Sequence, residues 1–299
     1  YTLAAEQGLA SAQFNLGFMY DEGYGVLQDH KAAVKWYTRA AEQGHAKAQY
    51  NLGVAYDLGE GVIQDDKTAV KWITRAAEQG FAKAQHNLGV AYDFGEGVIQ
   101  DDKTAFKWYT LAAEQGIAKA QYNLGIMYEN GHGVPQDHKA AFKWYTLAAE
   151  QGLASAQFNL GFMYDNGQGV LQDYRTAEKW YILSAEQGYA KAQYNLGVMY
   201  GKGQGVLQDY KTAVKWYILS AEQGNAEAQY NLGVMYALGQ GVIEDKVYAH
   251  MWGNILNSNG YEGGKKIMDY LLEQGMTPSQ VKKAQDLARE CVKKNYKGC

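Results

Sequence analysis

A chain of 299 residues that is 47% apolar has material for a large core, and its length allows two ordinary domains or one extended array. Its formal net charge of −4, from 28 basic and 32 acidic residues, gives no electrostatic argument for nucleic acid or an anionic membrane. No apolar run approaches the ~20 residues of a membrane span, and with two prolines no stretch has the composition of a low-complexity linker.

The chain opens on YTLAAEQG, a string repeated at Tyr109–Gly116 and Tyr145–Gly152. Residues 1–8 therefore read as the end of the second helix of a truncated repeat, not as a signal peptide. An export signal would lie upstream.

From residue 9 the sequence repeats. NLG begins at Asn15, Asn51, Asn87, Asn123, Asn159, Asn195 and Asn231. All seven tryptophans keep the same interval, from Trp36 and Trp72 to Trp252. A glycine closes each repeat, from Gly44 to Gly260. The expected repeats are 9–44, 45–80, 81–116, 117–152, 153–188, 189–224 and 225–260. In the second, helix A is predicted over Ala46–Leu58, broken by Gly59 and Gly61. Val62 and Ile63 are expected to tuck the loop onto the core. Asp65 or Asp66 caps helix B, which runs to about Gln79. Ala48, Leu52 and Tyr56 form one apolar stripe and Ala69, Trp72, Ile73 and Ala76 another, with Lys67 and Lys71 on the solvated side. Gly53, mid-helix at a cost of ~1 kcal/mol relative to Ala, suggests the close approach of a neighbouring helix. Two-helix repeats bury their apolar faces only by stacking, so the expected fold is all-α, an α/α solenoid wound as a right-handed superhelix.

Residues 261–299 depart from the repeat and read as a C-terminal cap. YEGGKKIMDYLLEQG resembles a degenerate helix A with Met268 at the leucine position. A further helix starts with Thr277 at its N-cap, Pro278 at N1 and Gln280 at N3, a capping box. Cys291 and Cys299 can pair if the helix stops between them, which leans toward an oxidising compartment. The alternative is two free thiols in a frayed tail.

The L-G-x2-Y pattern at Leu52-Gly53-x2-Tyr56 and the A-x3-Y-x2-A pattern at Ala33, Tyr37 and Ala40 match tetratricopeptide repeats. Gln49 replaces their early tryptophan. With the longer GEGVIQDD-type loop and the WYTRAAEQG ending, the chain resembles the Sel-like repeat family across nearly its whole length. The resemblance implies adaptor or scaffold proteins, many of them bacterial and exported. It therefore implies protein or peptide binding rather than chemistry, without a cofactor, and the chain is expected to be a monomer.

Three constellations bear on function. Ser279-x-x-Lys282 matches the S-x-x-K of penicillin-recognising serine enzymes, and some cysteine-rich relatives have been linked to penicillin binding. The S-D-N and K-T-G companions are missing, and the capping box uses the same turn. His30, His45, His86, His132, His138 and His250 are scattered and lack metal-ligand spacing, so they read as surface or groove residues and no metal or catalytic residue is assigned. The third constellation is the helix A stripe. By the L-G-x2-Y frame, Asn15, Asn51, Asn87, Asn123, Asn159, Asn195 and Asn231 fall where tetratricopeptide repeats face their concave groove. An amide matches the donor and acceptor of a peptide group, so a ladder of them can hold an extended chain. The row of Phe14, Tyr50, His86, Tyr122, Phe158, Tyr194 and Tyr230 offers contact area. Lys47, Lys83, Lys119 and Lys191 favour acidic groups on the partner. Against this stands an Asn that only fixes repeat stacking. Two other functions compete: a cell-wall or β-lactam-related enzyme, and an envelope assembly element using the solenoid ends or convex helices.

Overall fold

The computed structural model describes Thr2–Cys299, and Tyr1, part of the expected leading helix end, lies outside the described residues. Seventeen helices and no strand occur among the described residues. The helix A elements are α2 (Ala10–Glu22), α4 (Ala46–Leu58), α6 (Ala82–Phe94), α8 (Ala118–Asn130), α10 (Ala154–Asn166), α12 (Ala190–Lys202) and α14 (Ala226–Leu238). The helix B elements are α3 (His30–Glu42), α5 (Asp66–Glu78), α7 (Asp102–Glu114), α9 (His138–Glu150), α11 (Tyr174–Glu186), α13 (Tyr210–Ala221) and α15 (Lys246–Ser258). α1 (Thr2–Glu6) precedes them; α16 (Glu262–Glu273) and α17 (Pro278–Lys293) follow. Residues up to Gln151 form one compact unit and Gly152–Cys299 a second. Within each, every helix packs on the next in sequence, as far as α16, and α17 packs on α15. This is a repeat solenoid of helix pairs.

Local chemistry explains the punctuation. Asp65, not Asp66, is the N-cap of α5: its Oδ1 accepts from the backbone N–H of Lys67 at 3.1 Å and Thr68 at 3.2 Å. Its Oδ2 accepts from Thr68 Oγ1 at 2.7 Å. These bonds hold the Asp65 carboxyl below the usual carboxylate range. Helix A ends at Gly59, whose φ of 71° is left-handed. Gly61, also at positive φ, lies against the backbone of His30 at the start of the preceding helix B. A side chain there would meet both strain and a collision.

Leu52 and Ala48 on α4 and Ala33, Tyr37 and Ala40 on α3 are buried in one core cluster, which repeats with its own residues along the chain. Gly53 admits Ile73, as the mid-helix glycine predicts: a Cβ there would come 2.6 Å from Ile73 Cγ1. In the fourth repeat a Cβ on Gly125 would come 2.6 Å from the Tyr145 ring.

Three expectations require correction. Ile63 does not tuck inward: it is 90% exposed, as are Leu27 and Leu207, and half-buried Val62 alone faces the core. The loop is pinned where the Asp65 N–H donates to the Tyr56 carbonyl, so of two successive side chains only one turns in. Met268 packs against Gly253 of α15 but is only half-buried, unlike the leucines it matches, and Ile267 and Leu271 are the buried residues of that face of α16. Close packing of Gly264 on Gly253 brings that face of α16 onto α15. His250 is neither at the surface nor in a groove. It is buried within α15 and held to Asn254 Nδ2 at 2.9 Å, and burial keeps its imidazole below the usual histidine range.

Candidate functional site

The helix A stripe is built on a rigid base. Gln49, the residue that replaces the tetratricopeptide tryptophan, is buried at 4% exposure. Its Nε2 donates to the Ala41 carbonyl at the end of the preceding helix B, 3.0 Å away, and its Oε1 accepts from Gln79 Nε2 at 2.7 Å. Gln85, Gln121 and Gln193 repeat both bonds. Each amide thus adds a second donor to a helix-end carbonyl that already accepts a backbone N–H, as Ala41 does from Gly44 at 3.0 Å, and so ties one helix end to the next helix. Sequence reasoning recorded this position only as a missing tryptophan.

The seven ladder asparagines are all half-buried. Asn51, Asn123, Asn195 and Asn231 lie against the hydroxyls of Tyr37, Tyr109, Tyr181 and Tyr217 on the preceding helix B. Burial holds these phenols well above the usual tyrosine range, and the asparagine amides act in the opposite sense. The Tyr37, Tyr109 and Tyr181 hydroxyls also donate to Asp21, Asp93 and Asp165 at 3.1, 3.1 and 3.2 Å. Asn87 differs because Ile73 stands at the tyrosine position. Its Nδ2 reaches the Tyr50 hydroxyl at 3.5 Å and its Oδ1 lies 3.1 Å from His86 Nδ1. Burial, the largest influence on His86, keeps its imidazole below the usual histidine range.

The aromatic row is packed rather than freely presented. His86 lies 5.9 Å from the Tyr109 ring centroid, Tyr194 6.0 Å from Tyr217 and Tyr230 6.3 Å from Tyr261. Phe14 meets both Tyr37 and His45, Tyr50 meets Phe81, and Phe158 meets Tyr181 and Tyr189. Tyr122 packs on Tyr145. All seven remain half-buried, so each is partly core and partly contact surface. Lys47, Lys83, Lys119 and Lys191 are exposed, and none forms an ion pair among the described residues. The asparagine and aromatic side chains are therefore packed locally, repeat by repeat, and the lysines stand exposed.

The other candidates fall elsewhere. Ser279 and Lys282 are exposed on the first turn of α17. That turn is capped by Gln280 N–H donating to Thr277 Oγ1 and Thr277 N–H donating to Gln280 Oε1 at 2.8 Å. Cys291 and Cys299 are joined by a disulfide with Cα atoms 5.6 Å apart. His30 pairs with Asp21, and His45 Nδ1 accepts from the Ala48 N–H as an N-cap. Among the described residues no group of three or more metal-ligating side chains occurs, and no helix is long and apolar enough to cross a membrane.

A recess of about 550 Å³ between α15 and α17 is lined by Ile255, Ala288 and Val292, with Asn254 and Arg289 beside them. A second, of about 210 Å³, lies between the second and third repeats, lined by Asp57, Ile73, His86, Asn87 and Val90. It contains His86 and Asn87 of the predicted stripe. Comparing helix B positions (Tyr37, Ile73, Tyr109, Tyr145, Tyr181, Tyr217, Gly253) gives the signal that finds it, since Ile73 is the odd member before the last repeat.

A search of curated proteins returns no match. Among solved structures, a Sel1 repeat protein from Oxalobacter formigenes is 38% identical, with 89% of this chain and 77% of that one covered and a TM-score of 0.72. The uropathogenic Escherichia coli protective antigen c5321, described as displaying an SLR fold, is 30% identical over 98% of this chain and 86% of its own, with a TM-score of 0.59. The Sel1 repeat pattern itself matches residues 10–45, 46–81, 82–117, 118–153, 154–189, 190–225 and 226–254. With these matches lying on stacked helix pairs, the chain belongs to the Sel1 repeat family, whose fold is commonly a protein–protein interaction scaffold.

Proposed function

We propose that the protein is a non-enzymatic scaffold that holds an extended peptide segment of a partner protein along the helix A faces. One observation carries this reading. The ladder asparagines are half-exposed; Asn51, Asn123 and Asn195 are each steadied by the tyrosine of the preceding helix B, and Asn231 by Tyr217 and Tyr194. An amide has two donor hydrogens and two acceptor lone pairs, so one tyrosine contact orients it and leaves capacity for a peptide group. Half-buried aromatics add contact area and the unpaired lysines draw acidic side chains, which supplies selectivity beside backbone capture. Residues 261–299 act as the terminal cap in this reading. α17 turns Ala284, Ala288 and Cys291 inward and leaves Lys282, Lys283, Asp286 and Glu290 exposed, the polar outer face that an end repeat needs. The disulfide supports a working site outside the reducing cytosol.

The test uses peptides selected from a random library on the intact chain, measured against wild type and a triple Asn51→Ala, Asn87→Ala, Asn123→Ala variant. Three lost hydrogen bonds of about 1 kcal/mol each weaken binding by about 100-fold. Thermal unfolding should stay nearly unchanged. Undiminished affinity with a large drop in unfolding temperature would show that the asparagines serve stacking alone.

A further inference from the structure

The seam between the second and third repeats is built differently from its neighbours. Where Tyr37 and Tyr109 place a phenol, the second repeat has Ile73. Tyr37 and Tyr109 bind the carboxylates of Asp21 and Asp93, and the corresponding acid here, Asp57, has no tyrosine to bind. Ile73 fills the space against Gly53 but ends short of where a hydroxyl would lie, and the 210 Å³ recess opens beyond it. Its walls include Val70, Ile73 and Val90, and Asp57, Asp66 and Glu96 contribute three carboxylates. No basic side chain lines it apart from His86, whose imidazole burial keeps toward the neutral form. Burial first, and Asp66 second, push the Asp57 carboxyl above the usual range, so this carboxylate lacks a compensating charge.

We propose that this recess is a socket for a lysine or arginine side chain of the partner, its stem against Val70, Ile73 and Val90 and its cationic head met by Asp57 and Asp66. The proposal rests on the helix A reading above and gives that surface one fixed point of register. A long basic side chain suits the lining, because its methylenes pack on apolar walls while its head remains near the rim. A phenol from the partner would replace the missing tyrosine yet leave Asp66 and Glu96 unanswered. A cation answers all three carboxylates.

The test titrates the intact 299-residue chain with the Nα-acetyl N-methylamides of lysine, arginine, norleucine and tyrosine, following the His86 ring and Ile73 methyl resonances. The lysine and arginine probes should give saturable shifts, with norleucine at least about tenfold weaker. Asp57→Asn should weaken the cationic probes about fivefold or more. Ile73→Tyr should abolish their binding and preserve or raise the unfolding temperature, since it restores the residue of the neighbouring repeats. Equal binding of norleucine, tightest binding of the tyrosine probe, no shift with any probe, or cation binding that survives Ile73→Tyr would each overturn the socket. The amide probes do not need the asparagine ladder, so their failure is distinguishable from failure of the triple-asparagine test.

Discussion

Gln121 shows how much one side chain can hold in this architecture. Its Nε2 donates to the Ala113 carbonyl at 3.1 Å while its Oε1 accepts from Gln151 at 2.7 Å, at 5% exposure. Replacing it with alanine removes both bonds, although the Ala113 carbonyl keeps the Gly116 N–H and the Gln151 amide keeps the Leu147 carbonyl. Urea unfolding of Gln121→Ala should therefore show a loss of about 2 kcal/mol, two hydrogen bonds at about 1 kcal/mol each. Lys119→Ala, two residues away and exposed, should change little and serves as the control. The sequence does not announce Gln121. A glutamine in an otherwise apolar register looks like a lapse until the carbonyl at the end of the preceding helix and the Gln151 amide are both in view. Asn51 is the opposite case: its oddity in the helix was legible, but the tyrosine hydroxyl beside it depended on how α3 and α4 stack.

Helices were the most legible elements. The period of the apolar stripe, the left-handed glycine at each helix A end and the aspartate before each helix B together mark the boundaries of α4 and α5. Loops were less so, because Val62 and Ile63 are chemically alike and only the path of the loop decides which turns inward. The C-terminal tail adds covalent and polar contacts to a small apolar one, Tyr296 and Cys299 packing on the cluster that holds Cys291. The disulfide returns Cys299 to α17, the Tyr296 hydroxyl accepts from Asn259 Nδ2 at 3.2 Å, and the Gly298 N–H donates to Glu222 Oε1 at 2.8 Å. Reducing the bond opens a loop with a sequence separation of 8. In the chain-entropy account a loop that short is worth about 2–3 kcal/mol. Hydrogen exchange with and without reductant should show protection lost in residues 294–299 and retained in α2 to α14. Loss spread across the repeats would mean that the tail supports far more than its own end.

For the molecule as a whole, stability comes from many similar interfaces between neighbouring elements, so groups present in several copies act together. Tyr37, Tyr109, Tyr181 and Tyr217 are buried, and burial raises each above its ordinary value near 10. A folded-state pKa raised above the unfolded one means that the native state prefers the neutral phenol. That contribution is complete below about pH 10 and is lost as pH rises above it. The unfolding temperature should thus be flat in this respect near neutrality and fall above about pH 10, with phenolate absorbance from these residues appearing as the chain unfolds. Tyr→Phe at the four positions should flatten the alkaline limb. The repeat architecture itself was readable because seven copies reinforce one pattern. The recess at Ile73 was not, because a departure inside the array, like Gly253 at its end, looks like drift until the space it vacates is seen.

The glutamine contacts bear on how such an array can change over generations. Each buried amide reaches 8 residues back to a carbonyl and is reached by an amide 30 residues ahead, offsets shared by Gln49, Gln85 and Gln121. Recombination between near-identical copies that removes or adds one whole period rejoins compatible partners across the new seam. A slip of even one residue leaves them mismatched. The same amides that hold neighbouring helices together thus act as a reading frame for inheritance, one that permits the array to lengthen or shorten in whole repeats. A seam such as the one at Ile73 can in this way be gained, lost or moved along the partner without remaking the rest.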